Sequence, residues 1–287
     1  MINNKIDFIF TIKVEGANPN GDPLAGNMPR IDTNGFGEIS DVCIKRKIRN
    51  RMQDMGHEIF VKSDYRSDDG FNSLEARFLS KFDKNDKKST NREIEEKACQ
   101  YWLDVRSFGQ VITYMDNRAI GIRGPVSISI AKSIDTVDIT TMQITKSVNG
   151  KEEKSGKRSS DTIGSKSYVD YGIYVVNGSV NSYFAEKTGF DEEDLEVLKE
   201  AIRTLFLNDI SSARPDGSME VKDIYWIKHN SKTGNVSSGK LKDLLVYDIS
   251  DEIKLKRSYK EYHIRLDENK LKEYEESGIE VEHILGL

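Results

Sequence analysis

Five basic side chains stand within seven positions, Lys45, Arg46, Lys47, Arg49 and Arg51, directly after a loop rich in glycine and asparagine, "NPNGDPLAGN". Together they could do one kind of chemistry, holding a polyanion. Glycines let the backbone approach closely and leave N–H groups free for an anion, and lysine and arginine neutralise phosphates. At 100° per residue, Lys45, Arg46 and Arg49 share one arc of a helix, with Lys47 and Arg51 on the other flank of its apolar stripe. Like charges such as Lys45 and Arg49 repel at i,i+4 by a few tenths of a kcal/mol, so something should compensate, and a phosphate backbone would. A plain solvated helix face gives the same pattern. The loop is not a nucleotide-binding P-loop, because no Gly-Lys-Ser/Thr closes it.

Other chemistries have less behind them. The four histidines, His57, His229, His263 and His283, sit in no motif with a partner base or nucleophile. Cys43 and Cys99 are far apart and in no metal-ligand spacing, the carboxylates are dispersed, and neither a metal nor a cofactor is expected. Asp41 reads as a helix cap rather than a catalytic carboxylate.

The elements that must position the basic cluster follow from hydrophobic periodicity. "IDFIFTIKVEG" alternates, with Ile6, Phe8, Phe10, Ile12 and Val14 on one face and Asp7, Thr11, Lys13 and Glu15 on the other. Residues 41–55 predict a helix, capped by Ser40 or Asp41, with Ile44, Ile48, Met52 and Met55 as its stripe and Gly56 as its stop. "GPVSISIAKSI" (124–134) predicts a second strand through Val126, Ile128 and Ile130, and "YGIYVVNGSV" (171–180) a third. Residues 191–208 give the clearest helix, capped by Asp191, with Leu195, Leu198, Ile202 and Leu205 on its apolar side. "VKDIYWIKH" (221–229) is a fourth strand.

Strand, helix, strand, strand, helix, strand is the ferredoxin-like pattern of α+β proteins, used also by RNA-recognition motifs. One domain over 1–287 is expected, with two insertions: a polar, partly helical piece at 57–120 and a polar hairpin or mobile loop at 138–170.

Composition sets limits. The chain has 287 residues, 37% hydrophobic and 32% charged, enough for a real core. Its net charge of -5 means that any nucleic-acid surface must be local. "MINNKIDFIF" has neither a basic n-region nor a long apolar h-region, and no apolar run reaches the roughly 20 residues of a membrane helix. A cytoplasmic protein is expected, without a membrane partner.

"NPNGDPLAGNMPRID", then "DVCIKRKIRN", "DVRSFGQV", "GIRGPVSISIAKSI" and "TGFDEEDLEVL", resemble in order the backbone subunit of type I CRISPR Cascade complexes, in the CRISPR-associated protein seven family of the RAMP superfamily. The likeness runs through nearly the whole chain. The type I-B form shares the opening motif; "WLDVRSFGQV" favours type I-C. The resemblance implies a modified RNA-recognition fold shaped like a hand, with a palm, fingers at 57–120 and a thumb at 138–170. Copies stack along one guide RNA (crRNA), each thumb displacing a base at regular intervals. The implied partners are crRNA, the target DNA strand paired to it, other copies of the chain and other Cascade subunits.

Carried over, Asn18, Asn20, Arg30, Lys45, Arg46, Lys47 and Arg49 would lie at or near the guide backbone, Arg123 would meet RNA beside the sheet, Lys166 would stand at the thumb base, and Met142 would wedge against a splayed base. Strand packing accounts for Met142 equally well. Arg30 could instead pair with Asp32 or Asp22 and only shape the loop. Family members often carry a basic residue before this Met; here it is Thr141. Superfamily relatives cut guide-precursor or target RNA, so an endoribonuclease is the alternative, with Asp22 or Asp41 as a carboxylate by analogy. The type I resemblance implies a non-catalytic scaffold.

Overall fold

The computed structural model describes residues 1–83, 86–115, 118–145, 163–248 and 258–287. Its frame is an antiparallel sheet ordered Ile279–Leu285, Met219–His229, Ile6–Ala17, Ile163–Val180, Ala131–Thr136 and Phe36–Ile39. The first strand is central, pairing Ile6 with Val180 on one side and Lys228 on the other. Between Phe10 and Ile12 the register with the fourth strand slips by one residue, and the Thr11 hydroxyl accepts the Asp223 N–H at 3.1 Å.

Ile6, Phe8, Phe10, Ile12 and Val14 pack beneath the two helices Asp41–Asp54 and Glu192–Arg203, against Ile44, Ile48, Met52, Leu195, Leu198 and Ile202. The opposite face departs from the expected polar exposure. Asp7, Ile9 and Thr11 are buried, because the chain beyond the fourth strand folds back over them. Ile9 packs with Val236, Leu241, Leu244 and Ile279, and Tyr262 packs with Ile134, Tyr171 and Ile173. Tyr171, Tyr174, Tyr225 and Tyr262 are core residues and offer no stacking platform on the sheet.

Two expected elements change. Residues 124–134 form two strands, Val126–Ile128 and Ala131–Thr136, separated where the Ser129 N–H bonds Asn177 O (2.8 Å) and the Ser129 hydroxyl accepts the Asn177 N–H (3.2 Å). That break turns Ile130 outward, 56% exposed, instead of into the core. The amphipathic helix begins as expected, Asp191 accepting from the N–H groups of Glu193 and Asp194, but ends at Arg203 rather than 208. There the Thr204 hydroxyl bonds back to Glu200 O.

The 57–120 insertion builds its own core from Phe60, Phe78, Phe82, Ile94, Trp102, Ile112 and Ile120. Its helix Asn91–Tyr101 starts at a Thr90/Glu93 capping box. In the second insertion, Ile139–Thr145 pairs with Ile163–Val169; residues 146–162 lie outside the described residues. No helix among the described residues is long and apolar enough to cross a membrane.

Candidate nucleic-acid interface

The glycine loop is built rather than open. Gly21–Asp22 pairs with Met28–Pro29 as a miniature hairpin, and Asp22 Oδ1 accepts the Leu24 N–H at 3.1 Å to cap the turn Pro23–Ala25. The asparagines hold it from behind. Asn18 is buried, and its carboxamide donates to Asn27 O at 2.7 Å. Asn20 Oδ1 accepts the Ser40 N–H at 2.9 Å, which ties the loop to the start of the basic helix. Arg30 leans on Asp22 at 3.4 Å, whereas Asp32 takes Lys132 instead. Arg30 therefore shapes the loop, as one of its two readings anticipated, and its side chain remains 35% exposed.

Ser40 caps the basic helix, accepting the Cys43 N–H at 3.2 Å; Asp41 sits in the first turn and pairs with Lys45 at 3.1 Å. The like-charge repulsion in this helix has an internal answer. Lys47 is buried against the Asp209 carboxylate, and burial lowers its pKa while Asp209 opposes that. Arg49 Nε donates to Asp104 Oδ2 at 3.0 Å, with its guanidinium over the Phe108 ring at 4.8 Å. Arg51 donates to the Thr204 hydroxyl at 2.7 Å. Carboxylates from distant segments, not a phosphate, thus offset the charges of Lys47 and Arg49, while Arg51 has Asp54 of its own helix at 4.0 Å. The helix is not the free solvated face that its wheel suggests.

Arg46 is different. Its Nη1 donates to a neutral acceptor, Val61 O, at 2.5 Å, and among the described residues no carboxylate forms an ion pair with it. Burial, with Arg49 alongside, lowers its pKa from the ordinary guanidinium value. Positive charge available to an external anion therefore resides in Arg46, in Lys45 through its weakly held surface pair, and in Arg30.

The "DVR" and "GIRGP" stretches position their parts of the site by packing. Asp104 is fully buried and accepts the N–H groups of Phe60 (2.7 Å) and Val61 (3.1 Å) as well as Arg49, riveting the inserted core to the basic helix. Arg106 makes a two-pronged contact with Asp194, 2.7 Å on each arm. A Cβ at Gly109 would stand 2.2 Å from Ile122 O, and one at Gly124 would stand 2.3 Å from Ser107 O. Only glycine allows that crossing, and it delivers Arg123 outward, over the Phe184 ring at 4.3 Å.

Met142 and Lys166 are directly opposite each other in the stem that Ile139–Thr145 and Ile163–Val169 form, so their side chains share a face. Met142 is 43% exposed and the neighbouring Ile144 48%, so neither packs in a core. Ile144 escaped the sequence reading, although the two-residue spacing from Met142 carried the signal. This stem continues the long strand beyond Val169, which pairs with Ala17 on one side and Ile139 on the other.

Two of the four histidines, His229 and His283, hold structure. His229 is buried, its Nδ1 accepting the Asn235 N–H at 2.9 Å and its Nε2 facing Asp7 at 2.8 Å. His283 Nε2 meets Asp223 at 2.7 Å, on the carboxylate that the Tyr259 hydroxyl also donates to.

Residues 4–267 match the family model of CRISPR-associated protein Cas7. A "CRISPR-associated protein Cas7" of Haloferax volcanii is 25% identical over 260 residues, spanning 84% of this chain and 75% of that one. A chain of a solved "CRISPR RNA-guided surveillance complex, pre-nicking" superposes with a TM-score of 0.52 at 13% identity, over 78% of both chains. Another solved "CRISPR RNA-guided surveillance complex" gives a TM-score of 0.45 at 15% identity, over 78% of this chain and 68% of its own. Matched along nearly its whole length, the chain belongs to the CRISPR-associated protein Cas7 family.

Proposed function

We propose that this chain is the crRNA-binding backbone subunit of a type I CRISPR Cascade surveillance complex, of the I-C form, and that it multimerises along the guide. The carrying observation is the loop-and-helix surface. In a Cas7-family chain of net charge -5, Arg30, Lys45 and Arg46 keep cationic groups incompletely neutralised at the junction of the glycine loop and the basic helix. The guide phosphates run over this junction. Asn18, Asn20, Lys47 and Arg49 act from beneath it by fixing the loop and helix, and Arg123, over the Phe184 ring, adds a contact beside the sheet.

Residues 57–120 serve as the fingers and 138–170 as the thumb of a hand-like, ferredoxin-related domain. Met142, with Lys166 beside it, wedges a displaced base between copies, leaving the rest of the guide to pair with target DNA. Other Cascade subunits cap the filament, and the assembly works in the cytoplasm as a scaffold rather than a nuclease. Asp22 and Asp41, the carboxylates an endoribonuclease reading would use, are engaged in capping a turn and in pairing Lys45.

Titration of single-stranded RNA against salt tests the reading. Affinity should fall steeply with salt and vary little with sequence; a flat salt response, or strong preference for one sequence, contradicts it. RNA cleavage by the purified chain, lost on Asp22→Ala, would favour the endoribonuclease instead.

A further inference from the structure

Beside Arg123 lies a surface of exposed rings and cations, carried by the short helix Ser182–Thr188. Asn181 caps this helix, accepting the N–H groups of Tyr183 (3.0 Å) and Phe184 (3.2 Å), and its own N–H donates to Pro125 O at 3.0 Å. The helix is thereby fixed to the "GIRGP" stretch. The exposed Arg123 guanidinium lies 4.3 Å from the Phe184 ring centre, and Lys187 Nζ lies 5.9 Å from the same ring. Tyr183 and Lys187, four residues apart, share a helix face, and Tyr183 is 46% exposed. Lys232 Nζ stands 4.8 Å from the Tyr183 ring centre. It is held there by the Ser182 hydroxyl, which donates to Lys232 O at 2.7 Å, and by Glu186, which takes its amine at 2.6 Å. Glu186 answers Lys232, but among the described residues no carboxylate forms an ion pair with Arg123 or Lys187.

We propose that the exposed face of this helix is a base-stacking contact for the guide RNA, with the Tyr183 ring under one base and Arg123 and Lys187 on the phosphates beside it. A single strand offers such a surface a flat π face and an anion at every nucleotide. An exposed ring stacks a base whatever its sequence, and cations without carboxylate partners neutralise phosphates. A protein partner would match the rings but would have to bring a carboxylate to each of the two cations. The main sheet has no comparable platform, because its tyrosines are core residues. The inference rests on the RNA-binding reading and adds to it Tyr183 and Lys187, from a helix remote in sequence from the glycine loop.

The test is titration with single-stranded RNA of two lengths, one fitting a single copy and one fitting several, at 50 and 200 mM salt. The chains are wild type, Tyr183→Ala, Tyr183→Phe and Lys187→Gln, with thermal unfolding of each. Tyr183→Ala should weaken binding at least about fivefold on both lengths with the salt slope unchanged, since it loses a stacked base and no charge. Tyr183→Phe keeps the ring and should bind as wild type does. Lys187→Gln loses one phosphate contact, so its log–log salt slope should fall by about 0.7, and the wild-type loss of affinity across this fourfold salt range should exceed its own by about 2.6-fold. Both side chains are exposed, so the unfolding midpoints should stay close to wild type; if Tyr183→Ala unfolds early, Lys187→Gln carries the test through its slope. Wild-type affinity in a folded Tyr183→Ala, or a wild-type slope in Lys187→Gln, overturns the proposal and leaves the RNA-binding reading standing. A loss confined to the longer RNA also overturns it, and makes the surface a contact between copies. A wild-type chain that binds no RNA overturns the reading beneath it.

Discussion

Arg49→Ala separates the structural from the ligand-facing part of the basic helix. Arg49 donates at 3.0 Å to a carboxylate with no exposed surface, and its guanidinium lies 4.8 Å from the Phe108 ring centre. Losing a hydrogen bond between charged partners costs about 1.5–3 kcal/mol, and the cation–ring contact adds about 0.5–1 kcal/mol. Asp104 would still hold the N–H groups of Phe60 and Val61, so the full penalty of about 3–5 kcal/mol for stranding a buried charge should not appear. The expected loss is about 2–4 kcal/mol, a large part of the 5–15 kcal/mol that keeps an ordinary domain folded. Lys45→Ala removes only a surface i,i+4 pair, and should change stability by less than about 0.5 kcal/mol. Urea unfolding of both variants at equal ionic strength gives the comparison. An Arg49→Ala loss below about 1 kcal/mol, indistinguishable from Lys45→Ala, would refute the claim that Asp104 and Arg49 rivet the insertion to the helix.

Further outcomes follow from the same geometry. Gly124→Ala should destabilise by about 1–3 kcal/mol, because its Cβ would lie 2.3 Å from Ser107 O and 2.5 Å from Gly109 N; a neutral unfolding midpoint would contradict the close crossing. Burial raises the Asp7 carboxyl, but hydrogen bonds from His229, Ser238 and Lys5 more than offset this, and its pKa falls below 3.8. Its contribution to stability is therefore present above the unfolded value near pH 4 and lost as pH drops through the folded one; Asp7→Asn should show a flatter stability–pH curve below about pH 4, and an unchanged curve would be the contrary result. Replacing Met142 and Ile144 together by Ser should spare stability, since both are exposed, yet weaken binding to an RNA long enough for several copies more than to one fitting a single copy. Equal losses on both lengths would speak against an intersubunit wedge.

Much of the frame was legible in the sequence because period-two and helical patterns report burial directly. The first strand, the basic helix and the fourth strand stand where those patterns put them, and the helix capped by Asp191 starts where its pattern puts it but ends early, at Arg203. Failures came where distant chain overrides local pattern. Asp7, Ile9 and Thr11 occupy the face opposite the main core, and only the folded-back C-terminal third, with Leu241, Leu244 and Tyr262, makes that face interior. Ile130 breaks its strand's alternation through a Ser129–Asn177 exchange that no spacing rule signals. For the candidate site, the order of loop and helix was readable, but the division of labour among its cations was not. Whether an arginine faces solvent or a carboxylate depends on Asp104 and Asp209, which lie far along the chain and come beside the helix only on folding.

The most direct measurement is sequencing of RNA that co-purifies with the tagged chain expressed beside its own CRISPR array. The account predicts a set of short RNAs of uniform length with shared repeat-derived ends, each protected over several copies of the chain. A preparation free of RNA, or one carrying random cellular fragments without common ends, would contradict it.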